Sequence, residues 1–122
     1  MKILKLTLKK QWFDMILSGE KTVEYREVKP YFVSRLTFIP KEYFKHWTNE
    51  SIANHLLRDN DNFRYDYDAV EFTNGYSKDS RKVILFLNNI DVGKGKSGWG
   101  AEEDVIYFRI HLGKEITSHN FI

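Results

Sequence analysis

The sequence predicts an α+β domain in which five or six mostly antiparallel strands form a small curled β-barrel or sheet. Two observations lead to this fold class. Strand-like alternation of apolar and polar residues recurs along the chain, and the later strand segments are separated by turns instead of regular helices. Helical spacing is found in a short segment after the first strand and in an insertion in the middle. The length of 122 residues, with no internal repeat or linker, suits a single domain over 1–122.

The first elements are a strand and a short helix. Residues 2–8 alternate, with leucines on one face and Lys5 and Thr7 on the other, which predicts a half-buried strand. Apolar residues at positions i, i+3 and i+4 in residues 9–18 predict an amphipathic helix. Gly19 follows this helix, where a left-handed C-cap is expected.

The middle of the chain continues with strands and then turns helical. Residues 22–28 predict a strand, and residues 31–39 favour another strand, which the next proline ends. Residues 41–59 have helical spacing, and Thr48 or Ser51 is expected to cap a second helix whose apolar stripe comprises Ile52, Leu56 and Leu57.

The last third of the chain alternates loops with strands. In order we predict a loop at 59–68, a strand at 69–75, a strand at 81–93, a glycine-rich loop at 94–104 and a strand at 105–113. The tail that begins at Lys114 is expected to be peripheral.

Composition limits the classes of function. The net charge of +2, from 19 basic and 17 acidic residues, is too small to indicate nucleic-acid binding, which would need a local basic patch. The absence of cysteine excludes disulfides, thiolate chemistry and zinc–thiolate sites. The four histidines are scattered, so a structural metal is not expected. The glycine-rich loop lacks the spacing of a phosphate-binding P-loop. We predict no cofactor.

The sequence also bears on location. The first residues alternate like a strand and do not resemble a secretory leader, and no stretch has the roughly 20 apolar residues that a membrane span needs. We therefore expect a cytoplasmic protein with no membrane partner.

The first candidate site is the stretch GEKTVEYR, which follows the predicted helix. Thr22, Glu24 and Arg26 share one face of the predicted strand, whereas Val23 and Tyr25 alternate with them and take the core face. The charged face is either the wall of a binding site or an ordinary solvated face with an incidental ion pair.

Two further candidates lie in loops. Tyr76, Lys78, Arg81 and Lys82 crowd around the turn at 74–75, where basic residues and an exposed ring suit phosphate contact and base stacking. A soluble hairpin loop is the alternative interpretation.

The glycine-rich loop holds Trp99, which either anchors the loop to the core, the interpretation that we favour, or covers a ligand. Glu102, Glu103 and Asp104 follow it, and a carboxylate drawn into a cleft can act as a general base.

The stretch from the first strand to the charged strand resembles the N-terminal signature of the ASCH domain family, whose fold is similar to the PUA domain. The shared pattern is a strand, a helix and then Gly-x-Lys-Thr-x-Glu-x-Arg. Its residues in this chain are Gly19, Lys21, Thr22, Glu24 and Arg26. The resemblance is strongest over residues 4–28 and weaker after residue 66, where the sequence is similar to a phage- and bacteria-associated branch of the superfamily.

This resemblance implies a small β-barrel with helices at its side and a cleft beside the charged stretch that binds RNA or nucleotides. Some small bacterial members of the family are amidohydrolases that deacetylate N-acetylcytidine, and others are ribonucleases. The amidohydrolases use a lysine, which matches Lys21, and a threonine three residues later, where this chain has Glu24. Thr22 has the wrong strand parity to replace that threonine.

The leading hypothesis is a module that binds RNA or a nucleotide. Lys21 and Arg26 would contact phosphate or a base edge, and Glu24 would accept a hydrogen bond from an exocyclic amine. Tyr76 or Trp99 would stack on a base, and flanking basic residues would extend the charged surface. The predicted ligand-binding residues are Lys9, Lys10, Lys21, Thr22, Glu24, Arg26, Tyr76, Arg81 and Trp99.

Two alternatives stay open. One is a small hydrolase that acts on a modified nucleoside or RNA, with Lys21 as base or nucleophile and Glu24 as its partner. The other is a protein-interaction module, in which Phe44 and Trp47 would form an exposed apolar patch on the helical insertion at 41–57.

Overall fold

The computed structural model describes residues 1–59 and 61–119. These residues form an α+β fold with five strands and four helices, as the sequence predicts for its fold class. The elements are β1 (Ile3–Leu8), α1 (Lys10–Leu17), β2 (Val23–Glu27), α2 (Pro30–Leu36), α3 (Lys41–Phe44), α4 (Asn49–Arg58), β3 (Ala69–Asn74), β4 (Lys82–Lys94) and β5 (Ile106–His119), with a 3-10 turn at Ser97–Trp99. Within the described ranges, none of the helices is both long and apolar enough to cross a membrane.

The five strands form a mixed sheet in the order β1-β3-β4-β5-β2. β3 and β4 pair antiparallel, as expected for strands joined by a short turn. β1 and β3, however, pair parallel, so the expectation of a mostly antiparallel arrangement is wrong for this pair. Parallel pairing needs a long crossover, which the chain between β1 and β3 provides.

The segment predicted as a strand at 31–39 is largely helical, because α2 occupies most of it. Pro30 stands in the first turn, where its missing N–H costs nothing. Phe32, Val33 and Leu36 then fall at helical spacing and are buried. The aromatic and β-branched residues that favoured a strand instead form part of the buried stripe of a short helix.

The helical insertion at 41–59 is confirmed, with one correction of detail. Thr48 caps α4, and its Oγ1 accepts a hydrogen bond from the Ser51 backbone N–H at 3.1 Å. Ile52 and Leu56 are buried as predicted, but Leu57 is exposed because it lies one residue beyond the buried stripe. The tail that begins at Lys114 was expected to be peripheral, and residues 114–119 of it continue β5.

The chain groups into two compact units. The first unit comprises Met1–Glu24, Asp66–Asn89 and the segment that begins at His111. Alternation along β1 and β3 buries one face of each strand, and α1 adds two buried side chains to the same unit. Its fully buried side chains include Leu4, Phe13, Val70, Phe72 and Val83.

The second unit comprises Tyr25–Tyr65 and Ile90–Ile110. It contains α2, α3 and α4, each of which buries apolar side chains. Its fully buried side chains include Val33, Leu36, Phe44, Ile52, Leu56, Phe108 and Ile110.

Candidate functional site

The charged stretch begins with a tight reversal at the end of α1. Gly19 has a φ of 85°, the left-handed conformation that was predicted for this C-cap. The Lys21 backbone N–H then donates to the Met15 carbonyl at 2.9 Å, which returns the chain toward the helix. As a result, the Lys21 ammonium lies 4.6 Å from the centre of the Trp12 ring on α1.

Lys21 and Glu24 form a buried ion pair. Lys21 Nζ is 2.8 Å from Glu24 Oε1, and only 2% and 4% of the two residues is exposed. The expected split into a core face and a charged face is therefore wrong for Glu24, which is buried, whereas Val23 and Tyr25 are half-buried. A carboxylate can be buried here because the adjacent ammonium compensates its charge.

The other residues of the stretch have different surroundings. The Thr22 side chain is exposed, and its carbonyl accepts a hydrogen bond from the Leu112 backbone N–H at 2.9 Å. Arg26 belongs to the second unit, and its guanidinium carbon lies 5.6 Å from the centre of the Phe32 ring.

The buried pair has a chemical consequence for ligand binding. Lys21 and Glu24 carry opposite charges at contact distance, so together they present no net charge to a phosphate. An anionic ligand must therefore be attracted by other basic residues of the chain.

Arg81 and Lys10 both contact Asp14 on α1. Arg81 Nη2 is 2.7 Å and Lys10 Nζ is 2.6 Å from its carboxylate oxygens. The hydrogen bonds from Lys10 and Arg81 hold the pKa of Asp14 below its ordinary value. Arg81 also lies 4.7 Å from the centre of the Phe13 ring. The predicted ligand-binding residues Lys10 and Arg81 thus help to join α1 to the start of β4. Lys9, which was also predicted to bind the ligand, is exposed just before α1.

The turn between β3 and β4 borders a cavity of about 380 Å³. We call this the Tyr76 pocket. It is lined by three lysines, three hydroxyl side chains, one carboxylate and one aromatic ring. These are Lys5, Lys78, Lys82, Thr7, Thr73, Ser77, Glu71 and Tyr76. Three lysines against one glutamate leave this lining with a net charge of +2.

Strand register brings the lining residues together. In the parallel pair, Lys5 faces Glu71 and Thr7 faces Thr73. In the antiparallel pair, Thr73 faces Lys82. Because side chains alternate along a strand, these polar residues lie on the face opposite the buried side chains of the same strands. The sequence predicted the turn residues but missed Lys5, Thr7, Glu71 and Thr73, for which strand alternation was the available signal.

The turn holds an aromatic ring in solvent. Gly75 has a φ of 90°, and the backbone N–H of Ser80 donates to the Ser77 carbonyl at 3.0 Å. The Ser77 hydroxyl accepts a hydrogen bond from the Asp79 backbone N–H at 3.2 Å. Tyr76 is 94% exposed. The turn is thus internally hydrogen-bonded while its ring is accessible on both faces to a stacking partner.

Trp99 is half-buried in the second unit. Lys96 Nζ lies 4.2 Å from the centre of its ring. The Lys96 backbone N–H donates to the Tyr25 hydroxyl at 3.0 Å, which fixes the loop locally. The patch predicted for protein interaction is not formed, because Phe44 is buried and only Trp47 of the two rings is exposed.

Another cavity, of about 560 Å³, lies within the second unit and has the opposite charge. Its charged lining residues are the four carboxylates of Glu27, Glu50, Glu102 and Asp104. Two of the three acids that were proposed as general bases therefore line one cavity. Its negative charge disfavours a phosphate ligand.

Comparisons of the chain with protein-family models, with curated proteins and with solved structures found no match.

Proposed function

We propose that this chain binds RNA or a nucleotide, and that the Tyr76 pocket is the place of binding. The observation that carries the proposal is the juxtaposition of three lysines with a tyrosine ring that is 94% exposed. Lysines supply the charge that phosphate contact requires, and an exposed ring supplies the surface on which a base stacks. The resemblance of residues 4–28 to the ASCH domain family supports the same class of ligand.

The proposal assigns distinct roles within the pocket. Lys78 and Lys82 neutralise phosphate, and Lys5 extends the positive charge along β1. The hydroxyls of Thr7, Thr73 and Ser77 offer hydrogen bonds to phosphate or sugar oxygens.

The charged stretch has a supporting role in this proposal. The Lys21–Glu24 pair fixes the chain that leaves α1, as its burial and its contact with Trp12 indicate. Arg26 and Trp99 belong to the second unit, and the proposal does not depend on them.

Charge reversal in the pocket tests the proposal. The variant Lys78→Glu/Lys82→Glu should lose most of its affinity for RNA, measured by fluorescence anisotropy at fixed salt. The slope of log Kd against log salt should also fall by about 1 for each phosphate contact removed. The matched control is Lys41→Glu/Lys45→Glu, which makes the same change of charge at two exposed lysines of the second unit. If both double variants bind equally well, the proposal is wrong.

A second candidate function is hydrolysis of a modified nucleoside or RNA. The observation that favours it is the Lys21 ammonium at 2.8 Å from the Glu24 carboxylate, since such a pair can exchange a proton once a substrate reaches it. Purified protein would be incubated with N-acetylcytidine or RNA. Turnover that Lys21→Met abolishes while its circular dichroism spectrum shows a folded chain, and that Tyr76→Ala leaves unchanged, would support this candidate. Absence of turnover by the unaltered chain would remove it.

A further inference from the structure

One ring on the sheet surface has no part in the Tyr76 pocket. Phe86 on β4 is 45% exposed, whereas its neighbour Leu85 and the more distant Val83 are buried. Strand alternation therefore places Phe86 on the same face as Ile84 and Lys82, of which Lys82 lines the pocket.

The surroundings of Phe86 leave its ring accessible. Its register partner on β3 is Ala69, which has only a methyl side chain. On the other side, a Cβ added to Gly113 of β5 would lie 3.1 Å from the Phe86 Cβ and 2.5 Å from Asn88 Oδ1. The neighbouring strands thus place an alanine and a glycine beside Phe86, where neither residue has a long side chain that could cover the ring.

The spacing from the pocket suits a chain ligand. Phe86 lies four residues beyond Lys82, which corresponds to about 13 Å along an extended strand. A nucleotide held in the Tyr76 pocket cannot place the same base on both Tyr76 and Phe86. A ligand that uses both rings must therefore have more than one nucleotide.

We propose that the ligand is a single-stranded oligonucleotide that runs from the Tyr76 pocket over the outer face of β4 and stacks a second base on Phe86. This inference rests on the proposed function. Charge complementarity identifies the partner, because Lys5, Lys78 and Lys82 lie at one end of the track and attract the phosphate backbone. Glu71 lies on the same face, on the strand between those that carry Lys5 and Lys82, and the three lysines outweigh its charge.

A single strand is favoured over a duplex for a physical reason. Bases in a duplex are stacked on each other, so their faces are not available to protein rings. Two separate stacking rings on one surface are useful only to a strand whose bases can be splayed apart.

The test measures the binding of four ligands to two variants. The ligands are UMP, a short single-stranded RNA and the same RNA annealed to its complement, with a DNA strand of the same sequence as a further arm. Phe86→Leu keeps apolar cover over Ala69 and Gly113 but removes the aromatic face. It should weaken binding of the single strand by about 5- to 150-fold and leave UMP binding unchanged. Tyr76→Ala should weaken both.

The control is Phe38→Leu, which makes the same change at a phenylalanine that is 46% exposed in the second unit. It should bind all ligands like the unaltered chain, and denaturation curves should show that each variant is folded. If Phe86→Leu binds the single strand normally while Tyr76→Ala does not, the track is wrong but the pocket stands. If the duplex binds as tightly as the single strand, the track is also wrong. If the unaltered chain binds none of the ligands, the proposed function itself fails.

Discussion

Removing the charge of Lys21 should destabilise the fold strongly, because the residue is buried with Glu24. At the 2.8 Å that separates Nζ and Oε1, two unit charges attract each other by about 6 kcal/mol at an effective dielectric constant of about 20. Desolvation of both ions offsets much of this attraction. Lys21→Met abolishes the attraction but leaves the Glu24 carboxylate buried, so we expect a loss of about 3–5 kcal/mol in the free energy of unfolding.

Urea denaturation of the single and double variants measures this effect. Lys21→Met and Glu24→Gln should each lower the free energy of unfolding. The loss in the double variant should be smaller than the sum of the two single losses by about 0.5–3 kcal/mol. Lys94→Met is the control, because its ion pair with Asp104 is largely exposed and should contribute only about 0–1 kcal/mol. A loss for Lys21→Met no larger than that for Lys94→Met would contradict the prediction, as would strictly additive effects of the two single variants.

Three other predictions concern local contacts. The pKa of Asp14 is lowered in the folded state by its hydrogen bonds with Lys10 and Arg81, so this carboxylate stabilises the fold above about pH 4 and the contribution is lost as the pH falls through the lowered value. When the free energy of unfolding is measured against pH, it should therefore fall less steeply below about pH 4 for Asp14→Asn than for the unaltered chain. Equal slopes for the two proteins would contradict this prediction. Gly93→Ala would place a Cβ 2.5 Å from Cζ of Arg109, which two 2.8 Å hydrogen bonds hold against Asp91. The substitution should therefore lower the free energy of unfolding by about 1–3 kcal/mol, measured by urea denaturation. An unchanged midpoint would show that the guanidinium moves freely. Thr48→Ala removes the cap of α4 and should cost about 1 kcal/mol in the same assay, while Thr48→Ser should not.

Local patterns predicted those elements whose sequence signals agree with one another. β1 was predictable because its leucines alternate with polar residues, and the end of α1 was predictable because Gly19 follows the last apolar turn. α2 was not, since its aromatic and β-branched residues favour strands, while the signals for a helix are the position of Pro30 and a short apolar stripe.

The candidate site was predictable only in part, for a related reason. The turn around Tyr76 is contiguous in sequence, so its basic residues and ring were found together. Lys5 and Glu71 join them through strand pairing between segments that are 66 residues apart. Strand alternation indicates the polar face of each segment, but no local pattern shows that the two segments pair. The burial of Glu24 was also hidden, because alternation places it among polar residues, whereas in the fold the Lys21 ammonium compensates its charge.

The location of the bound ligand is the most direct test of the account. Backbone amide signals would be assigned by NMR, and single-stranded RNA would be titrated into the protein. We predict that the largest shifts occur at Thr7, Thr73 and residues 75–78, which border the Tyr76 pocket. Shifts concentrated at residues 19–26 or 94–104, or no shifts at saturating RNA, would contradict the assignment of the pocket as the binding site.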